Sequence, residues 1–168
     1  MASAFEVAKF IRSRLPGTNA FKLQKLLYYA QAWSLVWRDR TMFTEAVQAW
    51  THGPVVPEVW ADISHNAGHG IANASELNAD DAGVVDHMLT MYGHLTGDEL
   101  IELTHAEQPW IATRRGLPST AKSNAAIALP LMRVYYAALW QDACESTAAL
   151  NDPPAFTGSV DELAAQLA

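Results

Sequence analysis

"KLQKLLYYAQAWSLVW", residues 22–37, is the stretch on which the fold turns. Leu23, Leu26, Leu27, Ala30, Trp33 and Trp37 recur at helical spacing, and Tyr29 and Val36 widen the stripe. An apolar face that broad suits a helix touched on several sides rather than one lying on a surface. The pattern predicts a central helix from near Asn19 to about Arg38.

On either side the punctuation is that of further helices. Ser3-Ala4-Phe5-Glu6 has the S-x-x-E form of a capping box. Val7, Ala8, Ile11 and Leu15 then share a face, and Pro16-Gly17 stops the helix. Downstream, Asp80 and Asp81 suit a first turn, where carboxylates complement the helix dipole. Val84, Val85, Met88, Leu89 and Tyr92 follow, and Gly93 closes that helix. Thr96-Gly97-Asp98-Glu99 is a second capping box, with Leu95 and Leu100 placed as a hydrophobic staple; its helix ends near Thr104 or His105. Pro109 opens another with Trp110 and Ile111, residues 117–124 read as loop, and Pro130 opens a longer helix with Leu131, Val134, Tyr135, Ala138 and Leu139.

Thr41 to His52 breaks this rhythm. Val47, Ala49 and Thr51 alternate with Gln48, Trp50 and His52, a period near two that favours extended chain. Pro54 and Pro57 then restrict the backbone, and Pro57 can start a helix with Val59, Trp60 and Ile63. It should end near the His65–Gly70 turn. The fold class is therefore mainly α: a single compact multi-helix domain over residues 1–148 with at most a small extended element near 45–52. Residues 149–168 form a C-terminal tail. Asn151-Asp152-Pro153-Pro154 breaks helix, and Ser159-Val160-Asp161-Glu162 caps a short one carrying Leu163 and Leu167. So short a helix is marginal unless it docks, and the tail is expected to be mobile otherwise.

Composition narrows the function. At 168 residues the chain suits one domain. Charged residues are 17%, below the roughly 25% usual for soluble proteins, and there are six tryptophans. Such a surface suits being covered by a partner, although a compact monomer also tolerates it. The net charge is −7 and the eleven Lys and Arg residues are scattered, so the electrostatic footprint of a nucleic-acid binder is missing. Arg114-Arg115, the nearest approach to a cluster, reads as the solvated end of a helix. One cysteine excludes an intrachain disulfide and a cysteine-based zinc site. "MASAFEVAKF" lacks the form of a signal peptide, and no run of about 18 apolar residues suggests a membrane span. A cytosolic protein with no membrane or direct nucleic-acid partner is expected.

Catalytic patterns are missing too. His65 and His69 stand four apart, but Gly68 and Gly70 argue against a helix there and no H-E-x-x-H forms, so a surface loop is expected. The chain has no G-x-S-x-G, G-x-x-x-x-G-K or G-x-G-x-x-G. Cys144 reads as a half-buried inert thiol. His105 and Glu107 suit helix capping better than acid–base work. No catalytic residue, cofactor or metal ligand is predicted. Two aromatic segments remain: "AWTHGPVVPEVW", Ala49–Trp60, and "THAEQPW", Thr104–Trp110. Both suit packed corners, although tryptophan is also enriched at interface hot spots.

With "KLQKLLYYAQAWSL" and "FTEAVQAWTHGPVVPEVW", these segments resemble the Panacea domain, also described as SocA-like or phage-associated GepA-like, over roughly residues 5–140. The shared positions are Lys22, Leu23, Lys25, Leu26, Leu27, Tyr28 and Tyr29, then Ala49, Trp50, Gly53, Pro54, Val55, Pro57 and Val59, then His105, Pro109 and Trp110. His52 stands where the family often has an aromatic. Members are mostly helical, and many are antitoxins of two-gene operons that bind a protein toxin. The resemblance implies a non-enzymatic antitoxin that neutralises a co-encoded toxin by direct stoichiometric binding, through a rigid surface around Trp50, His52, Gly53, Pro54, Val55, Glu58, His105 and Trp110. The alternatives are an adaptor that delivers a bound protein to a protease, with residues 151–168 taking part, and a small enzyme whose pocket uses His52, His105 and Trp110. The chain adds no helix-turn-helix segment, so self-regulation at DNA is not expected.

Overall fold

A computed structural model describes residues 1–151, with side chains to residue 147. Among them stand eight helices and one hairpin: α1 (Ala4–Arg14), α2 (Ala20–Trp37), β1 (Gln48–Trp50), β2 (Gly53–Val55), α3 (Pro57–His65), α4 (His69–Asn73), α5 (Ala79–Tyr92), α6 (Gly97–His105), α7 (Gln108–Arg114) and α8 (Leu129–Asn151). Met1–Ala137 form one compact unit, and a second begins at Ala138. The mainly α class expected from periodicity is what forms. The tail features from Asp152 onward, Pro153-Pro154 and the Ser159–Glu162 capping box with Leu163 and Leu167, and the mobility expected of them, lie outside the described residues.

Local chemistry sets the helix starts. Ser3 Oγ accepts from the Glu6 amide at 3.2 Å while Glu6 Oε2 accepts from the Ser3 amide at 2.6 Å. Thr96 and Glu99 make the same reciprocal pair ahead of α6. Asn19 caps α2 through the Lys22 amide, and Asn78 caps α5 through the Asp81 amide. Each cap satisfies amides that the helix itself leaves unpaired.

Every residue of α2 from Leu23 to Leu35 is buried. Helices α1, α3, α5 and α6 and strand β2 all pack against it. Its apolar residues join one core with Val7, Ile11, Val85, Met88 and Leu100. Complete burial leaves its polar residues no solvent, so each must find a partner inside. Gln31 Oε1 accepts from the Met42 and Phe43 amides, and its Nε2 donates to the Phe43 carbonyl at 3.0 Å. Ser34 Oγ donates to the Arg40 carbonyl, Gln24 Oε1 accepts from the Val56 amide at 2.7 Å, and Lys25 Nζ donates to the Pro54 carbonyl. The central helix thereby moulds the irregular chain that follows it. Asp81, also fully buried, closes that region by accepting from both Arg38 and Arg40.

The extended element is a hairpin. Strands β1 and β2 are antiparallel, with Gln48 opposite Val55, Ala49 opposite Pro54 and Trp50 opposite Gly53. On the other edge of β1, the Ala49 amide donates to the Ala125 carbonyl and the Ile127 amide to that of Val47. The expected element near 45–52 thus continues to Val55. Burial alternates from Val47 to Trp50 as the sequence pattern does, but β2 is buried throughout and Thr-His-Gly is not among the strongest hairpin turns.

Four expectations need correction. The His65–Gly70 stretch is not all loop: α4 starts at His69, because the buried Asp62 carboxylate accepts from the Gly70 and Ile71 amides and so caps it from a neighbouring helix. Arg114 is not solvated but 2% exposed. Cys144 is exposed rather than half-buried. Glu107 precedes α7 yet makes no side-chain cap; it turns inward instead. There Tyr136 donates to its Oε2 at 2.6 Å and Tyr29 to both oxygens at 3.2 Å, while the Tyr28 and Tyr136 hydroxyls stand 3.1 Å apart. Burial pushes the Glu107 carboxyl up to about 7 against the pull of the tyrosine hydrogen bonds.

The core position of Leu26 predicts that Leu26→Asp destabilises the chain by about 4 kcal/mol or more, since it buries an unpaired charge; an unchanged urea midpoint would refute this. Glu107 makes a pH prediction. Its folded pKa of about 7 exceeds the ordinary 4.5. Below 4.5 both states hold the proton and the contribution is intact; as pH rises through 7 it is lost, by on the order of 3 kcal/mol. The stability difference between wild type and Glu107→Gln, followed by chemical denaturation, should therefore drift in the variant's favour between pH 4.5 and 7 and level off above. No drift would show that Glu107 ionises normally.

Candidate functional site

The hairpin turn decides the geometry here. Neither Thr51 nor His52 has a positive φ, but Gly53 does, at 96°. A β-carbon there would also stand 2.5 Å from Lys25 Cε and 2.9 Å from Thr104 Oγ1. Only glycine meets both the conformation and the close approach. The hairpin is thereby pressed onto Lys25 of α2 and Thr104 of α6.

Beneath and behind the turn lies a stacked brace. The His105 ring stacks on Trp110 at 4.1 Å, and the Arg114 guanidinium sits 4.8 Å over the same indole. Trp110 Nε1 donates to the Trp50 carbonyl at 2.9 Å. Arg114 donates to the Ala49 carbonyl at 3.0 Å, and to those of Pro118 at 3.0 Å and Ala121 at 2.6 Å. One guanidinium fork thus ties β1 to the loop after α7, a geometry a lysine could not match. Burial, reinforced by the charges of Lys25, His52 and Arg114, pushes the His105 imidazole below its usual value.

In front of the turn opens a pocket of about 740 Å³. Phe21, Trp50, His52, Val55 and Trp60 wall it, and the loop residues Thr120, Lys122, Ser123 and Asn124 complete the lining. The rings touch edge to face: Phe21 with His52 at 6.1 Å, Phe21 with Trp60 at 5.4 Å, Trp50 with Trp60 at 6.1 Å. Gln24 and Lys25, both fully buried, form its floor. Burial alone lowers the Lys25 ammonium to about 7. Gln24 Oε1 accepts from the Val56 amide, which orients the group, and its Nε2 has no partner among the described residues. An unpaired buried donor costs about 1–3 kcal/mol.

The eight residues expected at a partner surface therefore separate. Trp50, His52 and Val55 line the pocket. Gly53 and Pro54 are buried and act through backbone, Pro54 by its carbonyl to Lys25. Glu58 is exposed in the first turn of α3. Trp110 is 7% exposed and His105 half-buried, so both support the turn from within. Sequence reasoning passed over Phe21, Gln24, Trp60 and Arg114, and treated Lys25 only as a shared position. Gln24 and Lys25 did leave a signal, two polar residues inside a face wide enough to be buried all round. Arg114 left none. Among the described residues, no group of three or more His, Cys, Asp and Glu could hold a metal ion, and no helix is long and apolar enough to cross a membrane.

Residues 23–111, more than half of the chain, match the family model described as antitoxin SocA-like, Panacea domain. No curated protein and no solved structure matches the chain. The matched span runs from the start of the central helix through the hairpin to Trp110 and Ile111, and so takes in most of the pocket and its brace.

The Arg114 fork predicts that Arg114→Ala lowers stability by about 2–3 kcal/mol, with Arg114→Lys recovering only part of the loss. Denaturant unfolding followed by tryptophan fluorescence measures both. An alanine variant as stable as wild type would dismiss the clamp.

Proposed function

The chain belongs to the antitoxin SocA-like Panacea domain family, and on that premise we propose that it neutralises a co-encoded protein toxin by direct, stoichiometric binding. The observation that carries this is the family match itself, which coincides with the rigid aromatic hairpin. A turn fixed by Gly53, braced by Trp110 and Arg114 and edged by Trp50, His52 and Trp60 holds its side chains before any partner arrives. Preorganised aromatic anchors lose little entropy on binding and often dominate an interface. The exposed His52 and Glu58 belong to the contact surface, together with the accessible edges of Trp50 and Trp60. Trp110 and His105 serve it indirectly by holding the turn. The low charge content suits a surface that is covered, and the net charge of −7 suits a basic toxin. Both partners would meet in the cytosol, with no part for direct nucleic-acid contact.

The test is binding of the neighbouring gene product to purified wild type, His52→Asp and Glu58→Arg. Both side chains are exposed, so melting temperatures should stay within a degree or two of wild type. Toxin affinity should fall about 30-fold, equivalent to about 2 kcal/mol, with weaker rescue of growth. Two folded variants that bind as tightly as wild type would move the contact surface elsewhere. If no neighbouring product binds at all, the antitoxin function itself fails.

A further inference from the structure

The pocket in front of the hairpin has features that toxin contact does not require. Its volume of about 740 Å³ lies within the range of small-molecule sites, which are typically about 300–1,000 Å³. Three of its walls are flat aromatic faces or edges, those of Phe21, Trp50 and Trp60. At its floor are two donors with hydrogens to spare. Gln24 Nε2 has no partner among the described residues, although the rest of that amide is fixed by the Val56 amide. Lys25 Nζ has three hydrogens and donates one to the Pro54 carbonyl at 3.2 Å.

Charge makes the site selective. The chain carries 18 acidic residues against 11 basic ones, yet no Asp or Glu lines this pocket. Lys25, Lys122 and His52 do. Among the described residues, no salt bridge involves Lys25. An aromatic box for a cation would be disfavoured by a lysine at its base, because like charges repel in a desolvated site. A phosphate dianion would ask for more cationic and backbone donors than one lysine and one amide. A carboxylate has two oxygens and one charge, and it matches one ammonium and one amide group.

We infer that this pocket binds a small planar carboxylic acid, its ring against Phe21, Trp50 and Trp60 and its carboxylate taken by Gln24 Nε2 and Lys25 Nζ. Gln24 Nε2 then gains the acceptor it lacks and Lys25 Nζ gains a second one, and the flat walls cover the apolar body. Lys122 at the rim draws the anion in. The site shares Trp50, His52 and Trp60 with the toxin-contact surface proposed above, but no partner protein is needed to complete it.

The experiment is calorimetric titration of the full chain, with no toxin present, by benzoate, indole-3-acetate and quinoline-2-carboxylate, each against its own primary amide. At least one acid should bind at least tenfold more tightly than its amide. Gln24→Glu keeps the acceptor for Val56 but replaces the free donor with a carboxylate, and it should abolish acid binding. Lys25→Met should do the same, and if it fails to fold, Gln24→Glu decides alone, its fold checked by circular dichroism. Acids that bind no better than their amides would overturn the site, as would a folded Gln24→Glu variant with unchanged affinity. The tripeptide Gly-Gly-Trp with a free C-terminus is the further arm. Tighter binding of that tripeptide than of every acid would assign the pocket to a chain end and overturn the small-acid occupant. Because toxin is absent throughout, a negative result here leaves the antitoxin function standing, and the reverse also holds.

Discussion

Everything in this structure depends on the burial of α2 from Leu23 to Leu35. A helix wrapped on all sides cannot leave a polar side chain unpaired without cost, because each lost hydrogen bond is felt at full strength away from water. Gln24, Gln31 and Ser34 answer that constraint by binding backbone groups of residues 40–56. The irregular segment needs those bonds equally, since little of it has secondary structure to satisfy its own amides. Helix and loop thus fix one another, and the hairpin emerges from the loop already oriented.

Two ionisable groups sit inside this framework in opposite senses. Burial raises Glu107, where three tyrosines surround it, and lowers Lys25, whose ammonium donates to the Pro54 carbonyl and forms no salt bridge among the described residues. The tyrosine hydroxyls near Glu107 are themselves pushed up by burial, so they remain donors across any physiological pH. The carboxyl is well supplied with hydrogen bonds, and its role is structural cohesion between α2, α7 and α8. The lysine is poorly supplied and lies at the floor of an open pocket. Unequal satisfaction of this kind separates a packing solution from a place where something else can bind.

Rigidity at the hairpin comes from sources distant in sequence. Gly53 allows the close approach to Lys25, Trp110 holds the Trp50 carbonyl, and Arg114 joins β1 to the loop at residues 118–121. Trp50 and His52 are thereby held in place by the fold alone. That suits an antitoxin-family domain, for which affinity gained by preorganisation needs no catalytic machinery.

The sequence by itself determined the helices other than α4, with their limits to within a residue or two, because capping and periodicity are local. Ser3 with Glu6, Asn19 with Lys22 and Thr96 with Glu99 act over three residues, and the stripe from Leu23 to Trp33 announces its own burial. The motif around Gly53 and Pro54 likewise marked the hairpin region as unusual and carried the family likeness. Which way Glu107 and Arg114 would turn was not local. A carboxylate before α7 and an arginine at its end read as ordinary helix-terminus residues, and only the packing of α2 and α8 on one side and β1 on the other drew them inward. The pocket was illegible for the same reason. Phe21, Gln24 and Lys25 come from α2, Trp50 and His52 from the hairpin, Trp60 from α3, and Lys122 from a loop about a hundred residues after Phe21. Residues so far apart meet only when the whole chain has folded, and it is their meeting, not any one of them, that makes a site.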